Sequence, residues 1–136
     1  MSDIVSQETR SRIMSSIRSK DTAPEMAVRS TLHRMGYRFR VHANDLPGIP
    51  DVILPRHKKI VFVHGCFWHK HFGCEKFVMP KNNRAFWKEK LAANVKRDKL
   101  TKVQLEKMGW KVLVVWECET KNEKYLRTIL NDYMAK

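Results

Sequence analysis

The sequence has few acidic residues, only three cysteines and no long apolar segment. Its 136 residues include 14 aspartates and glutamates but 27 lysines and arginines. No segment approaches the roughly 20 consecutive apolar residues that cross a bilayer, and the first residues lack a basic stretch followed by an apolar one. We therefore expect neither a membrane span nor an export signal. An odd number of cysteines does not suit a disulfide framework, which indicates a reducing, cytoplasmic environment.

The scarcity of acidic residues leaves a formal net charge of +13 at pH 7. A basic excess of this size attracts polyanions, and nucleic acid is the commonest such partner. A basic surface that serves only solubility is the alternative interpretation. We expect nucleic acid to be the partner.

The spacing of apolar residues predicts one α/β domain that spans residues 1–136. A hydrophobic content of 43% in a chain of this length suits a single packed core. The predicted elements, in order, are a basic helix at 9–18, a helix capped by Asp21 or Thr22 and ended by Gly36, strands at 37–42, 51–54 and 59–64, a helix at 83–108, a strand at 111–116 and a helix at 121–135.

The predicted strands indicate a mixed sheet. Strands 51–54 and 59–64 are joined by a connection too short for a crossover, so we expect them to be antiparallel. Alternate residues of strand 59–64 should face opposite sides of the sheet. Segment 111–116, KVLVVW, is almost entirely apolar, which is typical of a buried central strand. We therefore expect helices on both faces of the sheet.

Residues with metal-binding side chains are concentrated between positions 62 and 74, in the segment FVHGCFWHKHFGC. Cys66 and Cys74 flank His69 and His71, and Cys118 follows the predicted strand 111–116. Structural zinc is held by four nitrogen or sulfur ligands, which three cysteines and one histidine would supply. The alternative is that the three cysteines are buried, inert thiols.

A second candidate site is the aspartate that opens a predicted strand. Asp51 follows Pro50 and lies beside the strand that ends at His64. Metal-dependent nucleases place an aspartate at such a strand end to hold Mg²⁺, although a Pro-Asp pair also simply begins strands. The acidic-x-Lys triplet common in these enzymes is replaced by Phe62-Val63-His64, so a histidine is the candidate general base.

Aromatic and apolar side chains near basic residues are candidates for contact with DNA. Phe67 and Trp68 lie in the histidine-rich loop, and Trp87 begins a basic helix. Such side chains can stack on bases or open a duplex step, and core packing is the alternative, most strongly for Trp87. Met14 and Ile17 fit either an apolar wedge or an ordinary core contact, and the pattern favours the core contact.

These residues resemble the very-short-patch DNA mismatch repair endonucleases. The motifs that carry the resemblance extend over nearly the whole chain: Met14 and Ile17, Asp21-Thr22-Ala23-x-Glu25, Leu46-Pro47-Gly48-x-Pro50-Asp51, His64-Gly65-Cys66-Phe67-Trp68-His69, Phe86-Trp87, Lys90, Asn94-Val95 and Val115-Trp116-Glu117-Cys118. The resemblance implies a restriction-endonuclease-like fold. It also implies nicking of one strand 5′ to the thymine of a T:G mismatch left by deamination of 5-methylcytosine.

The resemblance assigns a role to each candidate residue. Mg²⁺ would be held by Asp51 and the backbone carbonyl of Val63, with His69 as the general base and His64 and Glu25 in support. A structural zinc would be bound by Cys66, His71, Cys74 and Cys118. The duplex would be contacted by Phe67, Trp68 and Trp87 as wedges, by Met14 and Ile17 of an amino-terminal arm at 1–20, and by Lys90 and Asn94 at the mismatched pair.

Two departures from the family pattern leave alternatives open. Val63 stands where family members usually have a threonine, and the loop from His69 to Cys74 is one residue longer. We expect His71 to bind zinc and His69 to act as base, with the reverse assignment as the alternative.

The expected partner is double-stranded DNA with a T:G mismatch, with other repair proteins as further candidates. We expect a monomer at the bacterial nucleoid. A zinc-containing mismatch-binding module without catalysis and another nuclease on the same scaffold are the alternative functions.

Overall fold

The computed structural model describes residues 22–69, 71, 74 and 79–136. Its elements, in chain order, are α1 (Ala23–Arg34), β1 (Val52–Leu54), β2 (Lys59–His64), α2 (Arg84–Lys107), β3 (Lys111–Trp116) and α3 (Glu123–Ala135), with short 3₁₀ helices at Pro55–His57 and Glu117–Lys121. The helix predicted at 9–18 and the arm at 1–20 lie outside the described residues.

The three strands form a sheet in the order β1-β2-β3. The sheet is mixed, which confirms that part of the prediction. β1 is antiparallel to β2, with Val52 opposite Val61, and β2 is parallel to β3, with His64 opposite Trp116. The prediction that segment 111–116 is the central strand is wrong, because β2 holds that place. The apolar run of β3 instead reflects its two covered faces, since Val115 and Val114 belong to opposite apolar clusters.

The strand predicted at 37–42 is also wrong in extent. Only Arg40 forms a ladder contact, through two hydrogen bonds of 2.8 and 2.9 Å with the backbone of Ile53. Tyr37 and Phe39 pack against the apolar cluster beneath them, which explains the alternating pattern. His42 then adopts a left-handed backbone with φ of 56°, which ends the extended segment.

Two apolar clusters hold the sheet from its two faces. On one face, α1 and α3 pack Leu32 and Leu130 against Val61 of β2. On the other face, Leu105 of α2 packs with Ile60. Burying each such side chain contributes about 1.5–3 kcal/mol. The strand ends that carry the candidate site residues are therefore fixed from both sides.

The first turn of α1 is fixed by its cap. The Thr22 hydroxyl accepts a hydrogen bond from the backbone N–H of Glu25 at 3.5 Å, and Pro24 lies where no backbone donor is needed. This cap fixes the backbone from which the Glu25 side chain projects. Among the residues that the structure covers, no helix is long and apolar enough to span a membrane.

Candidate active site

Asp51 joins the beginning of β1 to the end of β2. Its Oδ2 atom accepts a hydrogen bond of 2.7 Å from the backbone N–H of Val63. The ladder between the two strands ends at the pair Val52–Val61, so the carboxylate of Asp51 replaces the backbone carbonyl that would accept this hydrogen bond if the ladder continued. Burial raises the pKa of Asp51 to about 6, and this effect outweighs the hydrogen bond from Val63 and the nearby charge of Arg29, which both lower it.

Two histidines and an aspartate lie next to one another beside Asp51. The rings of His64 and His69 are stacked, with centroids 3.8 Å apart and planes at 7°. Asp98 of α2 approaches both, because its Oδ2 atom lies 2.6 Å from Nδ1 of His69 and 4.0 Å from Nδ1 of His64. The contact between His69 and Asp98 has the geometry of a strong, charge-assisted hydrogen bond.

His64 is kept neutral by its surroundings. It ends β2 with only 8% of its surface exposed. Burial, helped by the neighbouring His69, lowers the pKa of His64 to about 4, although Asp98 acts in the opposite direction. Its Nδ1 atom is buried, and no described residue forms a hydrogen bond with it.

Asp98 was missed in the sequence analysis. It is separated from His69 by 29 positions, so no local spacing connects the two. The available signal was compositional, because Asp98 is the one acidic residue in the run Lys96-Arg97-Asp98-Lys99. A carboxylate flanked on both sides by basic residues suggests a specific partner rather than a solvated surface.

Glu25 is fixed by a neighbour one helical turn away. Its Oε2 atom lies 3.1 Å from Nη2 of Arg29, and 13% and 11% of the two side chains are exposed. Sequence reasoning missed Arg29 as well, although the spacing of four residues was visible. Both charges are close enough to Asp51 to influence its ionisation.

The four expected zinc ligands lie together. The ligand atoms of Cys66, His71, Cys74 and Cys118 are all within 4.8 Å of one another. Sγ of Cys118 and Nδ1 of His71 are 3.5 Å apart. Bond lengths of about 2.3 and 2.0 Å at a tetrahedral zinc imply a separation of roughly 3.5 Å, so the donor set fits zinc. His69 faces Asp98 instead and is not part of this group.

The three predicted wedge residues form one aromatic group. The ring centroids of Phe67 and Trp87 are 5.5 Å apart, and those of Trp68 and Trp87 are 5.8 Å apart. Trp87 is half-buried and does not belong to either of the apolar clusters that the described residues form. The side-chain amide of Asn94 donates to the backbone carbonyl of Trp68 at 3.0 Å and ties the loop to α2.

Two adjoining clefts give access to these groups. One, of about 580 Å³, is lined by Asp51, His64 and Asp98. The other, of about 590 Å³, is lined by Glu25, Trp68, Lys90 and Asn94. Val63, His69 and Arg97 line both clefts. The two clefts therefore adjoin, and most of the predicted residues line them. Trp87 and the three cysteines are not among the lining residues, and Met14 and Ile17 lie outside the described residues.

Comparison with known proteins identifies the family. The sequence profile described as DNA mismatch endonuclease Vsr matches residues 2–76. The chain is 47% identical over 135 residues to the Type II nicking enzyme V.XorIIP of Xanthomonas oryzae pv. oryzae, covering 96% of this chain and 98% of that protein. The chain belongs to the Vsr family of DNA mismatch endonucleases. The family that the sequence motifs suggested is thereby confirmed.

Other relatives of this Vsr family member have related names. It is 40% identical over 126 residues to the DNA mismatch endonuclease Vsr of Escherichia coli K12, covering 93% of this chain and 80% of that protein. It is 46% identical over 131 residues to the Type II nicking enzyme V.NmeAIP of Neisseria meningitidis, covering 96% and 93%. These names confirm the prediction of a DNA endonuclease and favour it over a module without catalysis.

The stretch matched by the Vsr profile contributes only part of the site. Residues 2–76 include Asp51, His64 and His69, whereas Asp98 and Cys118 lie beyond them. α2 and the end of β3 deliver these last two side chains, so the site is complete only in the folded chain.

Proposed function

We propose that this Vsr-family protein is a Mg²⁺-dependent endonuclease that nicks one DNA strand 5′ to the thymine of a T:G mismatch arising from deamination of 5-methylcytosine, and so initiates very-short-patch repair. The proposal rests chiefly on the contact between His69 and Asp98 beside the buried carboxylate of Asp51. It includes a restriction-endonuclease-like fold for a single domain of residues 1–136, in which residues 1–20 form a DNA-binding arm.

His69 is the general base in this proposal. Asp98 accepts the Nδ1 proton of His69 at 2.6 Å, which leaves Nε2 of the neutral ring as the proton acceptor. When the ring takes up a proton from water, the carboxylate of Asp98 stabilises the resulting positive charge. His64 stays neutral beside it and so adds no repulsion between two charged rings.

Asp51 and the backbone carbonyl of Val63 are the proposed Mg²⁺ ligands. The N–H and carbonyl of one strand residue point toward the same neighbouring strand, so the Val63 carbonyl faces the side on which Asp51 binds its N–H. Only the backbone of residue 63 contributes, so valine in place of threonine removes no ligand. A buried carboxylate whose pKa is raised by burial gains from a cation. When bound, Mg²⁺ would neutralise charge on the attacked phosphate and acidify water.

Zinc is the proposed structural metal at the cysteine cluster. Burial raises the pKa of Cys66 to about 12, so the thiol group alone would not ionise at neutral pH. A bound zinc ion deprotonates its cysteine ligands and contributes its binding free energy to folding. The loop that zinc would hold carries Phe67, Trp68 and His69, so the metal would fix both the aromatic group and the base.

Double-stranded DNA with a T:G mismatch is the proposed substrate. Phe67, Trp68 and Trp87 would wedge into the weakly stacked duplex beside the mismatch, Lys90 and Asn94 would contact the mismatched pair, and Met14 and Ile17 would approach from the opposite groove. The basic surface supports binding to the phosphate backbone. We place this activity in the bacterial cytoplasm at the nucleoid, with the enzyme as a monomer and other mismatch repair proteins as candidate partners.

The direct test is single-turnover nicking of T:G duplexes with varied flanking bases at saturating Mg²⁺, run beside a binding assay. Asp51→Ala should abolish nicking and leave binding largely intact, whereas Asp132→Ala, on the exposed face of α3, should nick at the wild-type rate. Wild-type activity in Asp51→Ala would contradict the proposed metal site. Equal cleavage of matched duplexes would indicate a general nuclease, and binding without any nicking by the wild type would indicate a module without catalysis.

A further inference from the structure

A second group of metal-binding side chains lies apart from the cysteine cluster. The ligand atoms of His64, His69 and Asp98 are within 4.8 Å of one another. None of the three belongs to the proposed zinc ligands or the proposed Mg²⁺ ligands. Two imidazoles and one carboxylate form a donor set that suits divalent transition metals, whereas Mg²⁺ prefers oxygen ligands.

The buried nitrogen of His64 is an independent sign of a ligand. Its Nδ1 atom is inaccessible to solvent and forms no hydrogen bond with any described residue. The side chain is nine-tenths buried, with 10% of its surface exposed. A buried polar atom without a partner destabilises the fold, so native structures satisfy nearly all of them. The atom is directed toward Asp98, whose Oδ2 lies 4.0 Å away.

We propose that His64, His69 and Asp98 bind a divalent transition-metal ion such as Zn²⁺ or Co²⁺, through both Nδ1 atoms and a carboxylate oxygen, and that this ion inhibits nicking. The ion can enter from solvent, because all three residues line the cleft of about 580 Å³. The side chain of Asp98 is 28% exposed at that opening.

Binding requires one small rearrangement. The two rings are stacked at 3.8 Å and 7°, so the planes in which their nitrogen atoms would bind a metal are nearly parallel and do not meet at one point between the rings. Rotation of His69 about its Cβ–Cγ bond turns its Nδ1 toward that of His64, and this torsion is soft for histidine. Asp98 already lies beside both nitrogens, at 2.6 and 4.0 Å.

Inhibition follows from the tautomer of His69. In the metal-free site Nδ1 of His69 carries the proton and donates a hydrogen bond to Asp98, so Nε2 can accept a proton. An ion on Nδ1 displaces that proton, and the neutral ring then carries it on Nε2. No atom changes its oxidation state. With the metal on Nδ1 and the proton on Nε2, neither nitrogen of the ring can accept a proton. This inhibitory part rests on His69 being the base, whereas the binding part does not depend on the proposed function.

The binding part is tested without DNA. Zinc-loaded protein is titrated with Co²⁺ and followed by calorimetry and visible absorption. We expect one additional Co²⁺ per chain, with ligand-field bands but no thiolate-to-cobalt charge-transfer band. His64→Ala and Asp98→Asn should each lose this equivalent, whereas the exposed control His33→Ala should retain it. Asp98→Asn keeps the shape of the side chain, so it tests the proposal even if His64→Ala does not fold.

Three results would overturn the proposal. They are the absence of an additional Co²⁺ equivalent, a charge-transfer band that shows exchange at the cysteines, and unchanged Co²⁺ binding in both variants.

For the inhibitory part, Zn²⁺ added to zinc-loaded enzyme at saturating Mg²⁺ should lower single-turnover nicking at least tenfold. Unchanged nicking with Co²⁺ bound would overturn inhibition alone, and a wild type that never nicks would instead contradict the proposed function.

Discussion

Asp51 and His64 show at the residue scale how burial adjusts two ionisable groups in opposite directions. The pKa of Asp51 rises from 3.8 to about 6, and that of His64 falls from 6.5 to about 4. Between about pH 4 and 6 the folded protein therefore holds one proton more on Asp51 and one fewer on His64 than the unfolded chain. Their contributions to the pH dependence of the free energy of unfolding have opposite signs and largely cancel. The contribution of one residue can therefore be measured only after the other residue has been replaced.

Asp51→Asn should stabilise the zinc-loaded protein when no other divalent cation is present. The charged carboxylate is disfavoured in the fold above pH 6, at a cost of about 2–3 kcal/mol for a shift of roughly two pKa units. Below about pH 4 the carboxyl group is neutral in both states, so the gain should disappear as the pH falls from 6 to 4. Urea unfolding at several pH values measures this. A gain that is equal at pH 4 and pH 7.5 would contradict the assigned cause.

Asp98→Asn should slow nicking by roughly a hundredfold while leaving duplex affinity unchanged. An amide cannot stabilise the positive charge that develops on His69, and general-base catalysis is itself worth about 10²–10⁴-fold. Single-turnover rates and binding constants are compared, with Asp132→Asn on α3 as the matched control. A parallel loss of affinity would indicate that Asp98 contributes to DNA binding instead.

At the scale of elements, the end of β3 links the cysteine cluster to the histidines. The ring of Trp116 stacks on His71 at 4.0 Å and 5°, and its edge meets His64 at 5.3 Å. Glu117, the next residue, accepts the backbone N–H of Cys66 through Oε1 at 3.3 Å. One short segment therefore packs against the proposed metal ligands on one side and the candidate catalytic histidines on the other.

Cys118→Ser should lower zinc content, melting temperature and nicking together. The variant removes one of four ligands, and zinc binding contributes folding free energy. Loss of His71 from its position would also release Trp116 from its stack. Elemental analysis, thermal unfolding and the nicking assay are compared with Lys121→Ser, an exposed change in the same 3₁₀ helix. A metal-free wild type that is fully folded would refute a structural role for zinc.

At the scale of the whole molecule, charge and shape act on the same two clefts. The chain carries a net charge of +13, and α2 contributes Lys90 and Arg97 to the clefts that hold the candidate site. A positive field of this kind raises the local concentration of a polyanion and depends strongly on ionic strength. Phe67 and Trp68 line the second of these clefts, where we propose that they contact the bases.

DNA affinity should fall steeply with salt, by roughly a thousandfold between 50 and 200 mM if about six phosphates are contacted. Arg97→Ala should reduce the slope of log affinity against log salt by about one. Trp68→Ala should keep the slope and instead reduce the preference for T:G over matched duplex. Fluorescence anisotropy across a salt series measures both quantities. A flat salt dependence would show that phosphate contacts do not dominate binding.

Sequence patterns determined the local features of this protein. Alternation in Lys59–His64 indicated which residues face each apolar cluster, and Thr22 with Pro24 indicated where α1 begins. The motif from His64 to His69, together with the other motifs along the chain, indicated the family, which the comparisons confirmed. These features depend on neighbouring residues, whose spacing is set by the geometry of a strand or a helical turn.

Tertiary structure decided which distant side chains meet. It brings His69 to Asp98 and His71 to Cys118, across 29 and 47 positions, although either histidine suited either role in the sequence. It also places β3 next to β2 and not at the centre of the sheet. The sequence could not decide this order, because an apolar run indicates that both faces of a strand are covered and does not indicate where the strand lies in the sheet. Contacts of this range depend on how α2 and β3 pack, and no periodicity along the chain encodes that packing.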